Sequence, residues 1–215
     1  MKIYSIVASL HTTALCATII LFAVGCNRKE DNLTNFTAAI NSYYSAHPAC
    51  LWSEPVKFPV QADTSDASKT AHFDALVDQG LLVRTTAEKK VMIVASKQVN
   101  NYDLSDKGRS AWLADVNQPG FGNFCYGHRK VSNIDSSTPT KNAEGATTQV
   151  NYHYTLADSP AWATAAETQN AFPRLHSDLT QPQTGQATLI DTNNGWQVAV
   201  AQPTHSSGAD GQIVE

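Results

Sequence analysis

An uncharged run from Ile3 to Val24, ending on Gly25-Cys26, decides which part of this chain is free to fold. One basic residue, Lys2, precedes it, and Asn27-Arg28-Lys29-Glu30-Asp31 follows it. A stretch that long reaches the roughly 20 residues of a membrane helix, so an uncleaved anchor competes with a cleaved leader. The flanks favour the leader, because a basic start, an apolar centre and small residues before a cut mark an export signal. Residues 1–25 are therefore read as a signal peptide that leaves with Cys16, and folding concerns the 190 residues that remain.

The residues Ala23-Val24-Gly25-Cys26 resemble the lipobox of bacterial lipoproteins, with Ala23 standing where leucine is commoner. The resemblance covers residues 1–27 and implies that the Cys26 thiol carries a diacylglycerol, that the chain is cut before it and that the new amine is acylated. Each buried methylene contributes about 0.8 kcal/mol, so two or more acyl chains hold a protein on a membrane without spanning it. Asn27, where an aspartate would favour the inner membrane, points by the same resemblance to the outer membrane and a periplasm-facing domain. Residues 26–32 form a short tether, which reaches at most about 25 Å. An ordinary secretory signal with a chance cysteine is the alternative.

Maturation leaves 14 basic against 19 acidic side chains, a balance that gives no electrostatic case for binding nucleic acid. It also leaves two cysteines, Cys50 and Cys125. Two thiols in an oxidising compartment usually pair, which predicts a Cys50–Cys125 disulfide; two buried free thiols are the alternative.

Periodicity divides the mature chain at about residue 118. In residues 33–118, Leu33, Phe36, Ala39, Ile40, Tyr43 and Tyr44 recur at helical spacing up to Pro48. A second helix is expected over Ala67–Gln79, closed by Gly80. β-like runs follow at Leu81–Thr85, Val91–Ser96 and Asn101–Leu104, then a helix over Asp106–Asp115, capped by Ser105 and burying Trp112 and Leu113. Helix, hairpin and short helix in this order look like a winged-helix domain, a class known for DNA reading. Residues 66–113 carry seven Lys or Arg against six acids, far short of a phosphate-binding face. The wing is accordingly read as structural or protein-binding.

Residues 119–201 read as antiparallel strands at Phe124–Asp135, Thr148–Leu156, Gln186–Asp191 and Gly195–Ala199. One helix, opened by Ser159-Pro160 and halted by Pro173, packs on them. Residues 202–215, rich in Ser, Gly and Asp, are read as a flexible tail. The expected class is α+β: an N-terminal helical part with a winged-helix-like hairpin, then an antiparallel sheet packed on a helix.

Sites of chemistry are sparse. His47, His72, His128, His153, His176 and His205 form no HxH, HExxH or Cys-paired arrangement, so no metal or other cofactor is expected. His153 alternates with Tyr152 and Tyr154 and is expected to face solvent. No nucleophile motif is present and no catalytic residue is assigned. The segment Phe121–Lys130, FGNFCYGHRK, has two readings. It is either a strand pinned by the disulfide with its charges in water, or a binding lip. In the lip, Phe121, Phe124 and Tyr126 would offer apolar contact and His128 and Arg129 would take an anionic group. The sequence thus leads to a lipid-anchored envelope protein, non-enzymatic, that binds a protein or cell-wall partner. A periplasmic hydrolase whose residues converge only in the fold, or a small apolar-ligand carrier, are the alternatives.

Overall fold

The structure, a computed structural model, describes residues 33–92, 95–139, 141 and 143–204. Residues 1–32, where the signal peptide, Cys26 and the tether are expected, and residues 205–215 of the expected tail lie outside the described residues. Among the described residues no helix is long and apolar enough to cross a membrane.

The chain opens with α1 (Leu33–Ala46), followed by the short strands β1 (Ala49–Cys50), β2 (Val56–Lys57) and β3 (Val60–Asp63). Next come α2 (Ala67–Asp78) and a long hairpin, β4 (Leu82–Met92) and β5 (Ala95–Leu104). Then α3 (Asp106–Ala111), β6 (Trp112–Ala114), β7 (Phe121–Ser137) and β8 (Thr147–Ala157) follow. Three short helices, α4 (Ala161–Thr164), α5 (Ala166–Ala171) and α6 (Pro173–Thr180), precede the last hairpin, β9 (Gln183–Thr192) and β10 (Gly195–Thr204). The fold is α+β, with all strand pairs antiparallel.

Two sheets result. The larger runs β1-β7-β8-β9-β10, with β2 and β6 also paired to β7, and the smaller runs β3-β5-β4. In the smaller one, Asp66 caps α2 by accepting from the Lys69 amide at 3.2 Å. At its other end Gly80, at φ 70°, lets the Leu81 amide reach the Leu76 carbonyl at 2.9 Å and its own amide reach that of Val77 at 2.8 Å. That paired closure is the Schellman motif. The three β-like runs of the sequence are two strands, paired in register from Leu82 opposite Leu104 to Lys90 opposite Ser96. Residues 83–90 are exposed on both faces, so cross-strand pairing and not burial makes them a strand.

Ser105 does cap α3, accepting from the Gly108 amide at 2.8 Å. The helix stops at Ala111, short of the expected Asp115. Trp112 pairs instead with Phe124 of β7 and is half-buried, and Leu113 is 51 % exposed. Backbone pairing with β7 outcompetes another helical turn there. The helix expected from Ser159 is also corrected. Its N-cap is Pro160, without a side-chain cap bond, and it breaks at Ala165, whose ψ of 139° is extended. Pro173 ends nothing beyond α5: it is the first residue of α6, where its missing N–H costs no helical bond.

The packing crosses the sequence division at residue 118. One core joins Leu51, Trp52, Phe73 and Leu76 to Phe124, Tyr126, Trp162 and Leu175, with Trp52 at its centre against Phe58, Phe73, Trp112, Phe124 and Phe172. The second core lies under α1, whose Phe36, Ala39, Ile40 and Tyr44 face Val131, Val150, Tyr152, Tyr154, Leu189 and Trp196. The N-terminal helix thus belongs to the C-terminal sheet, because its apolar stripe finds an uncovered face only there. Cys50 and Cys125, opposed on β1 and β7, are joined by a disulfide.

Candidate functional site

Strand β7 serves both cores, and the way it switches between them creates the site. Gly122, Phe124 and Tyr126 are buried, then Gly127, Arg129 and Val131, so the inward phase shifts at the adjacent pair Tyr126-Gly127. On β1, Ala49 pairs with Gly127 and Cys50 with Cys125, one step against two. That is a β-bulge, the device that re-aims the side chains after it. Gly127 holds φ 145°, and a Cβ there would lie 2.5 Å from the Ala157 carbonyl oxygen. The position admits glycine alone without rearrangement.

The bulge decides the fate of the FGNFCYGHRK segment. Phe124 and Tyr126 are 0 % and 1 % exposed and both rings fill the first core, as the reading of a strand pinned by the disulfide has them and not as an aromatic lip. Phe121 is half-buried, with the Lys57 ammonium 5.8 Å from its ring centre. His128 and Arg129 instead line a cleft of about 410 Å³ with Lys130, with Asn41 and Ser45 of α1, and with Ala157 and Asp158 at the end of β8.

Arg129 is 8 % exposed although it lines this cleft. Its guanidinium carbon lies 5.4 Å from the Tyr44 ring centre and 5.8 Å from that of Tyr154, a two-ring cation–π seat. Among the described residues no carboxylate is within ion-pair distance of it, and its buried Nε has no hydrogen-bond partner. The expectation that the charges of this segment face water holds for exposed Lys130 and fails for Arg129, which the phase change turns inward.

A tyrosine cluster walls the guanidinium. Tyr44 and Tyr152 share a hydroxyl hydrogen bond of 2.6 Å, and Tyr126 donates to Asp178 Oδ2 at 2.8 Å. Asp178 is 3 % exposed and its Oδ1 has no partner among the described residues. Burial raises all four phenols above the ordinary value. It pushes Tyr154 up to about 12 against the downward pull of Arg129, and Asp178 reinforces the rise at Tyr126. These phenols are neutral donors and acceptors at physiological pH, not bases.

The rim is polar and locally fixed. Asn41 Oδ1 accepts from the Val131 amide at 2.8 Å, tying α1 to β7 just past the bulge. Ser45 Oγ donates to the Asn41 carbonyl at 2.9 Å, which commits that hydroxyl to the helix. Asp158, exposed, holds the left-handed φ of 59°, a region non-glycine residues seldom use.

Elsewhere, His153 pairs with Asp135 at 2.8 Å on the outer face of the sheet, while Tyr152 and Tyr154 point inward. Among the described residues no group of three or more His, Cys, Asp or Glu side chains is placed to hold a metal. Sequence reasoning singled out His128 and Arg129, missed Asn41 and Ser45, and saw Asp158 only as one of several dispersed carboxylates. Asn41 and Ser45 follow the apolar stripe of α1 at a spacing of four, which carries no signal of what they will face.

The fold and cleft together define an α+β protein with a cationic pocket between a helix and the sheet it covers. Comparison of the chain with models of protein families, with curated proteins and with solved structures finds no match.

Proposed function

We propose that this chain is a lipid-anchored protein of the bacterial envelope that binds a partner through the α1–β7 cleft and catalyses no reaction. The observation that carries the reading is Arg129, a guanidinium buried in the wall of the cleft with no salt-bridge partner among the described residues and with its Nε unbonded. A fold does not hold a desolvated charge there for stability, since breaking even a paired buried charge is costly. The Cys50–Cys125 disulfide suits an oxidising compartment. With Cys26 as the acylated residue, seven residues separate the membrane from Leu33. Asn41 lies about 12 Å further along the helix, so the cleft would open close to the bilayer. The outer membrane, facing the periplasm, is the proposed address, and an envelope protein or a cell-wall component the proposed partner.

A periplasmic hydrolase is the competing reading, favoured by an imidazole and a carboxylate, His128 and Asp158, in one cleft. Against it stands Ser45, the one hydroxyl in the lining, which donates to a backbone carbonyl and not to a base. A carrier of small apolar ligands is disfavoured because α1 fills the concave face of the sheet with Phe36, Ile40 and Tyr44.

A photo-crosslinking residue at Lys130, on the cleft rim, tests the reading in intact cells against the same residue at Glu88 on the β4–β5 hairpin. A discrete adduct from position 130 alone, reduced when Cys26→Ser removes the anchor, is the expected result. Equal labelling from both positions, or an adduct indifferent to Cys26→Ser, contradicts it.

A further inference from the structure

We infer that the α1–β7 cleft takes a carboxylate, that of a small acid or of a chain terminus, and that Arg129 is the group that pairs with it. The inference rests on the binding role proposed for the same cleft and names the chemistry of what enters it.

A guanidinium carries five N–H donors in a planar fork. The rings of Tyr44 and Tyr154 serve its faces, and the Tyr154 hydroxyl, close enough for Arg129 to pull its pKa down, can accept at most one or two of the five in-plane protons. Nε has no partner among the described residues. The buried carboxylate Asp178 accepts from Tyr126 and forms no salt bridge with Arg129. A two-oxygen acceptor entering from the cleft would satisfy the fork, the arrangement for which Arg is suited over Lys.

The surroundings select the kind of anion. Lys130 adds a second cation beside the guanidinium, and Asn41, whose amide oxygen accepts from the Val131 N–H, has its Nδ2 protons to offer as neutral donors. Asp158 places a carboxylate on the exposed side of the same cleft. Arg129 and Lys130 opposed by Asp158 leave one net positive charge in the lining, which a single negative charge neutralises and a second exceeds. A monoanionic carboxylate therefore fits better than a phosphate monoester, which is largely dianionic at neutral pH.

The test follows the Arg129 Nε–Hε resonance and the backbone amides of His128 and Asp158 in isotopically labelled full-length protein in detergent. Sodium acetate and sodium methyl phosphate are titrated separately at constant ionic strength, with sodium chloride as the control. Acetate is expected to give saturable shifts at an affinity about tenfold above methyl phosphate, and Asp158→Asn to narrow that ratio to about threefold or less. Arg129→Lys, which keeps the charge and loses the fork, is expected to weaken acetate about tenfold. Shifts that chloride reproduces, that do not saturate, or that favour methyl phosphate overturn the inference, and the wild-type titration stands even if Arg129→Lys misfolds. A crosslink from position 130 that persists while acetate leaves the wild-type resonances unmoved removes the carboxylate and leaves the binding role. Acetate binding without any crosslink does the reverse.

Discussion

The hydroxyl of Tyr44 on α1 lies 2.6 Å from the hydroxyl of Tyr152 on β8, a hydrogen bond between residues 108 apart in sequence. Both side chains are buried, and the Tyr44 ring also covers the Arg129 guanidinium. One contact therefore fixes the helix on the sheet and forms a wall of the cleft. Removing the Tyr44 hydroxyl strands that of Tyr152, so Tyr44→Phe is expected to cost about 1–2 kcal/mol in denaturant unfolding. Adding Tyr152→Phe removes the stranded group, and the double variant is expected to lose less than the sum of the single losses.

The tyrosine cluster makes stability fall at alkaline pH. Burial raises the pKa of Tyr44, Tyr126, Tyr152 and Tyr154 in the folded chain, Tyr154 to about 12, whereas an unfolded tyrosine ionises near about 10. Their stabilisation is complete below about pH 10 and is lost as pH rises from there through the folded values, because the unfolded state releases protons first. Tyrosinate absorbance is expected to appear in one cooperative step coincident with loss of tertiary structure. A gradual rise centred near the ordinary tyrosine value with the fold intact would contradict it.

The disulfide closes a loop with a sequence separation of 75. In the chain-entropy model, opening it costs about 4 kcal/mol. Cys50→Ala with Cys125→Ala is expected to lower the urea midpoint by a corresponding amount, measured against the oxidised wild type. An unchanged midpoint would show that pairing on β1 and β7 holds without it.

The bulge gives a prediction specific to the cleft. Gly127→Ala places a Cβ against the Ala157 carbonyl at a φ that alanine resists, and is expected to cost about 2 kcal/mol or more. Because the inward phase after Tyr126 depends on that residue, the Arg129 side-chain resonances should broaden or shift while those of the α2 region stay in place. Wild-type stability in this variant would mean that the strand reaches the same phase without the bulge.

Local signals in the sequence carried the elements whose burial is one-sided. The stripe Phe36, Ile40, Tyr44 marked α1, and the alternation of Tyr152 and Tyr154 about His153 gave the inner face of β8. Where pairing alone makes the structure, the pattern was silent. The middle of β4 is polar on both faces, and Trp112-Leu113 carries helical periodicity until β7 captures it as a strand. The cleft was half legible. His128 and Arg129 stand out among glycines and rings, but nothing in CYGHRK tells that one residue of β1 will face two of β7. Asn41 and Asp158 join them only through long-range closure of the fold, and no local signal anticipates that.

The whole account depends on the chain working outside the reducing cytoplasm at a membrane surface, and the chemistry of Cys26 tests this most directly. Mass spectrometry of the N-terminal peptide from protein purified out of membranes is expected to show Cys26 as the first residue, carrying diacylglycerol and an acylated amine. Recovery of an intact leader, or of a cleaved chain with an unmodified Cys26 thiol, would contradict it.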